Sequence, residues 1–177
     1  MAATVLIERW TGSGAGTGAD ITGGTTRMKQ ADNGTADTNN PVPAVTTSWS
    51  FWVSTRLHIT VAPSNLVNNL KWYSDGVSAG TGLTVNAAKA STGTNSGYRY
   101  ATTAGAVALN NTNHTGLDVA SPTDASTYTS GSPLSLTGSS ATTGMIGDFL
   151  IYQLAVTSSA SPGAMSARTY TWSYDET

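Results

Sequence analysis

The chain has 177 residues, a net charge of −2 at pH 7 and no cysteine, and 10% of its residues are charged, against roughly a quarter in an ordinary globular domain. That length allows one domain with one real core. The missing cysteines exclude disulfides, and eight basic residues spread singly do not make the basic face that a nucleic-acid partner needs.

Lysine and glutamate are scarce, with three and two copies. Amphipathic surface helices need such residues on their wet face, so the chain can hardly build them. Thr suits strands, and Ser, Asn and Gly suit turns. Five Trp, seven Tyr and 38% hydrophobic residues carry enough apolar area to argue against a disordered linker. The composition points to an all-β protein with long polar loops. The first ten residues, MAATVLIERW, lack the pattern of a signal peptide. The longest apolar stretch, FLIYQLAV, is too short to span a bilayer.

In chain order, residues 3–10 read as a short strand. WTGSGAGTGADITGG, from Trp10 to Gly24, follows it. Gly14, Gly16 and Ala19 satisfy the loose dinucleotide pattern G-x-G-x-x-G/A, but DITGGTT cannot supply the helix whose free N–H groups would hold a pyrophosphate. A turn or joint is the better reading. Residues 11–47 are polar, end in PVP, and are long for a structureless loop. They read as an extended arm lying on a surface.

SWSFWVSTRLHITVAP is the clearest strand. Phe51, Val53, Thr55, Leu57, Ile59 and Val61 fall on one face, and Trp52, Ser54, Arg56, His58 and Thr60 on the other, which predicts a half-buried strand. NNLKWYSDG reads as a short strand with a turn at Asp75-Gly76. TGLTVNAA and GYRYATT read as strands, AGAVALN as strand or helix, and TYTSGSPLSL as two short strands around Ser130-Gly131. GDFLIYQLAV places Leu150, Tyr152, Leu154 and Val156 opposite Phe149, Ile151 and Gln153, apolar on both faces as a central strand would be. ARTYTWSYDET closes the chain with Arg168, Tyr170, Trp172 and Tyr174 on one face. Eight to ten short strands with no long helix predict an antiparallel β-sandwich, with a jelly roll favoured. The predicted division is residues 1–45, N-terminal strand and arm, and 46–177, the sandwich.

Chemical motifs are weak. GVSAG, Gly76 to Gly80, fits the nucleophile pattern around Ser78, but a turn and strand follow it, and no Asp lies between Ser78 and His114. His58 and His114 lack the partners a zinc site needs. Asp32, Asn33, Asp37 and Asn39 offer oxygen ligands, without the calcium-loop spacing. The sequons at Asn33, Asn110 and Asn113 are expected by chance in so Asn- and Thr-rich a chain. Trp52, Trp72 and Trp172 could form a sugar-stacking platform or pack inside. The reading is of a protein that is not an enzyme and needs no cofactor.

NNLKWYSDG, FLIYQLAVTSSASPG and ARTYTWSYDET, in this order and spacing, resemble a group of small virion structural proteins of tailed bacteriophages. The resemblance covers roughly residues 45–177 and, more loosely, RMKQAD at Arg27–Asp32. It implies a capsid decoration (cement) protein on the outer capsid surface of the virion. Its partners would be the major capsid protein and itself, as a homotrimer, with no nucleic acid and no membrane. A receptor- or glycan-binding module of a tail or fibre, or a minor head–tail protein, is the alternative. No active-site residue carries over. Trp10, Arg27, Met28 and Lys29 are the expected capsid or subunit contacts.

Overall fold

The structure is a computed structural model that describes residues 2–12, 18–90, 98–100, 107–118 and 121–177. Ten strands and one short 3-10 turn follow in chain order. They are β1 (Thr4–Trp10), β2 (Ala19–Asp20), β3 (Ser48–Trp49), β4 (Val53–Val61), β5 (Val67–Ser74), β6 (Leu83–Ala90), β7 (Thr123–Asp124), β8 (Leu134–Ser135), β9 (Gly144–Val156) and β10 (Tyr170–Glu176). All pairings between them are antiparallel. The larger sheet has seven strands in the order β2-β1-β4-β9-β6-β7, with β3 also on β9, and the smaller sheet runs β10-β5-β8. The all-β sandwich follows from the composition, as expected. Its sheets hold seven and three strands, where a jelly roll distributes eight in two Greek keys.

The strong period-two patterns all become strands. β9 lies between β4 and β6, the central place its two apolar faces require. Its inward face, with Leu150, Tyr152, Leu154 and Val156, packs in one cluster with Val53, Leu57, Ile59, Val85 and Ala87 of the larger sheet. Val67, Leu70 and Trp72 of β5 press onto them from the smaller sheet. Trp72 is fully buried, stacked on Tyr170 at 5.3 Å and set edge-on to Tyr128 at 6.0 Å.

The opposite face departs from expectation. Trp52, Ser54 and Arg56 were expected on a wet face of β4, yet they are buried. Phe149 and Ile151 join Trp10, Trp52, Ala90, Tyr98 and Leu109 in a second apolar cluster. The cover comes from Tyr98 and Leu109, which lie outside any strand. An alternation of residue types cannot reveal such a lid, because it comes from distant chain.

The segment 1–45 is not uniformly an arm. β1 pairs with β4 along its whole length, and β2 folds back on β1 with Glu8 opposite Asp20. The Gly-rich stretch thus joins two paired strands, and its residues 13–17, with Gly14 and Gly16, lie outside the described residues. Gly12 is held from both sides, its N–H by Asp32 Oδ1 at 2.8 Å and its carbonyl by the Tyr98 hydroxyl at 2.6 Å. The strand expected over GYRYATT is absent at Tyr98–Tyr100, and the rest of it lies outside the described residues. AGAVALN is neither strand nor helix at 107–109, and its start also lies outside.

A bulge in β9 links the two sheets. Thr55 faces Leu150 but Leu57 faces Ile146, which frees Gly147 and Asp148 from the ladder with β4. Asp148 accepts from the Thr137 N–H at 2.7 Å, and its own N–H donates to the Thr137 carbonyl at 3.0 Å. Gly147 has φ +79, and a Cβ there would run into Leu70 Cδ1. Gly147→Ala should therefore lower stability by about 1–3 kcal/mol. Gly131→Ala, where the nearest atom to the new methyl is 4.0 Å away, should stay within about 0.5 kcal/mol of wild type. Urea midpoints of the two variants check both expectations.

Candidate functional site

Three strands cannot cover seven, and the uncovered part of the larger sheet is roofed by irregular chain. The arm residues 23–44 and the linker residues 160–169 arch over it and enclose a cleft of about 1400 Å³. Its floor is the inward face of the sandwich: Ile7, Thr55, Leu83, Tyr152, Leu154 and Val156. One wall is β10, through Tyr170 and Trp172. Met28, Val42 and Met165 add apolar roof. Clefts for small ligands span about 300–1,000 Å³, so this one has the size of a seat for another chain segment.

Three cations line the cleft, Arg27, Lys29 and Arg168, against one carboxylate, Asp37. Lys29 is 4% exposed and its Nζ lies 2.9 Å from Asp37 Oδ1. The same carboxylate oxygen accepts the Asn39 N–H at 2.9 Å, and Lys29 holds it well below the usual range. The Lys29 carbonyl accepts from Phe51 N–H at 2.9 Å, and Gln30 N–H donates to Asn40 at 2.8 Å. These bonds pin the arm to the sandwich edge. Burial raises the pKa of the Tyr152 hydroxyl, and pushes that of Tyr170 up to about 12. Both phenols stay neutral in the cleft.

The four expected contact residues separate in the structure. Trp10 is 4% exposed and packs between Tyr98 at 5.8 Å and Phe149 at 5.6 Å. Its ring is spent inside the chain, on the face away from the cleft. Arg27, Met28 and Lys29 all line the cleft. Arg27 is exposed, Met28 half-buried, and Lys29 buried against its partner.

The sugar platform does not form. Trp52 and Trp72 are 4% and 0% exposed, and Trp172 packs against the main core. The oxygen-rich stretch 31–40 is occupied by the chain itself. Asp32 takes Gly12 N–H, Asn33 takes Thr35 N–H, and Asp37 takes Lys29. Among the described residues no three His, Cys, Asp or Glu side chains gather to hold a metal. Ser78 sits in an open loop before β6, its hydroxyl accepting from Gly80 N–H at 3.3 Å. His58 is bound to Glu8 at 2.5 Å, across β1 and β4. His114 packs on Trp52 at 5.1 Å. The geometry assembles no triad.

The role of Gln153 was missed in the sequence. It is fully buried and makes three strong bonds. Its Oε1 accepts Leu109 N–H at 2.7 Å, and its Nε2 donates to the carbonyls of Ser50 and Val107 at 2.8 Å each. A polar residue in the middle of an apolar strand was the available signal. It fastens the lid 107–118 to β9.

No family model, no curated protein and no solved structure matches this chain.

Two outcomes follow from the site's charges. His114 is fully buried with no hydrogen-bond partner on either ring nitrogen, and burial lowers its pKa from 6.5 to about 4. The unfolded chain then binds the proton first on acidification. Wild type should lose stability relative to His114→Phe as pH falls from about 6.5 to about 4, and the gap should level off below that. Denaturant titrations across that window measure it. At the arm, Asp37→Ala strands the buried Lys29 charge, so it should destabilise more than the double variant Lys29→Met/Asp37→Ala. Thermal melts of the two variants decide the order.

Proposed function

We propose that the protein is a non-enzymatic virion structural protein, a capsid decoration (cement) protein that binds the outer shell of a tailed phage head as a trimer and stabilises it. The observation that carries the reading is where the phage-like stretches fall. NNLKWYSDG spans most of β5, FLIYQLAV the second half of β9, and ARTYTWSYDET all of β10. They build the facing layers of the sandwich and one wall of the cleft, so the resemblance lies in framework residues. A load-bearing accessory needs such a framework and a broad contact surface, and no reactive group.

The cleft adds support. An apolar, cation-lined seat roofed by an arm suits a segment of a neighbouring chain, such as the major capsid protein. Outside the cleft the surface carries few charges, so contacts made there depend little on ionic strength.

Quantitative mass spectrometry of purified virions tests the assignment. The expected copy number is close to that of the major capsid protein, and particles stripped of the protein should lose resistance to heat. A few copies per particle would reject the proposal.

A further inference from the structure

The two sheets end in four edge strands, β2 and β7 on the larger, β10 and β8 on the smaller. β2, β7 and β8 are two residues long, whereas β10 has seven. Short edges offer little to pair with, and long edges are normally guarded by Lys, Pro or a bulge. β10, YTWSYDE, has neither Lys nor Pro, and its register shifts only past Ser173.

Which of its backbone groups are free follows from the pairing with β5. Asp75 N–H donates to the Thr169 carbonyl, while Ser74 N–H donates away from β10, to Tyr128. Hydrogen-bonding groups alternate along an antiparallel ladder. Thr171 and Ser173 therefore face β5. Tyr170, Trp172 and Tyr174 present their N–H and C=O groups to the open side.

The flanking charges are complementary. Arg168 donates to the carbonyls of Ala167 at 3.1 Å and Ser78 at 2.6 Å, and its buried Nε has no partner. No carboxylate pairs with it among the described residues. At the other end of the strand Asp175 and Glu176 are exposed, Asp175 Oδ2 accepting from Asn69 Nδ2 at 2.7 Å and the Glu176 carboxylate from the Ala3 N–H at 2.9 and 3.0 Å, with lone pairs left for a cation.

We propose that β10 is a two-fold self-association edge, on which a second copy lays its own β10 antiparallel, centred on Trp172. This register joins the open backbone groups of Tyr170, Trp172 and Tyr174 to those of the copy. It also sets Arg168 opposite Glu176 of the partner subunit, and symmetry repeats the pair. Centring one residue away loses that match. The two three-stranded sheets become one of six strands, and the partner's strand lies beside the cleft that β10 borders. Such an isologous contact uses the same patch twice. It stands apart from the shell assignment, since it forms in solution. On a shell it would join neighbouring trimers.

The absence of cysteine makes the test clean. In this register Thr171 faces Ser173 of the partner subunit as a non-hydrogen-bonded pair, with Cα atoms about 4.5 Å apart, within disulfide reach. Full-length Thr171→Cys and Ser173→Cys proteins are mixed, oxidised and run on a denaturing gel. The mixture should give at least about ten-fold more cross-linked dimer than either variant alone. No dimer, or equal dimer in all three samples, would overturn the proposal. Arg168→Glu and Glu176→Arg should each weaken self-association by about ten-fold in analytical ultracentrifugation, from two lost pairs and two repulsions. The double exchange should restore it. With circular dichroism confirming that the variants are folded, failure of that rescue would also overturn the register.

Discussion

Strand β9 carries Leu150, Tyr152, Leu154 and Val156 on one face and Phe149, Ile151 and Gln153 on the other, all buried. A strand with two apolar faces must sit at the centre of a sheet and must be covered twice. Most of the architecture answers that demand. The first face meets β5 and β10 of the smaller sheet through Leu70, Trp72 and Trp172. The second meets Trp10, Trp52, Tyr98 and Leu109. Among the described residues the second cover meets the sheet through an isolated bridge of Leu117 with Ala90 and the Asp118 N–H to the Lys89 carbonyl. Deeper in, Gln153 accepts from the Leu109 N–H and donates to the Val107 carbonyl, which also takes the Trp52 Nε1–H. An unsatisfied buried polar group costs about 1–3 kcal/mol, so Gln153 specifies where the lid must lie.

The mismatch of seven strands against three has a second consequence. The smaller sheet leaves part of the inward face unroofed, and the arm and the 160–169 linker span the gap without filling it. Protein interiors are normally packed with few voids larger than water. A cleft of about 1400 Å³ is a departure from that rule. The unguarded edge of β10 lies beside it. Burial holds His114, Tyr152 and Tyr170 in their neutral forms.

Much of this was legible in the sequence. The all-β class came from the lack of Lys and Glu, and β4, β9 and β10 from strict alternation. The central place of β9 came from its two apolar faces. The misreadings share one cause. Ser54 and Arg56 looked like a solvated face because nothing local shows that Tyr98 and Leu109 return over it. Trp52 and Trp72 looked available for a sugar for the same reason. β1 was read as a strand but set apart from the sandwich, because its partner β4 lies about fifty residues away. Composition also could not tell that Arg27, Met28 and Lys29 border a cleft while Trp10 faces the other side of the sheet.

The central claim is that the larger sheet is closed on its outer face as well, with the lid fastened through Gln153. Native-state hydrogen exchange at the Leu109 amide tests it most directly. Leu109 lies outside any strand, so an ordinary loop amide there would exchange quickly. The account predicts protection close to that of the β9 amides, released by global unfolding. Exchange at loop rates, with β9 still protected, would show that the lid opens freely and would contradict it.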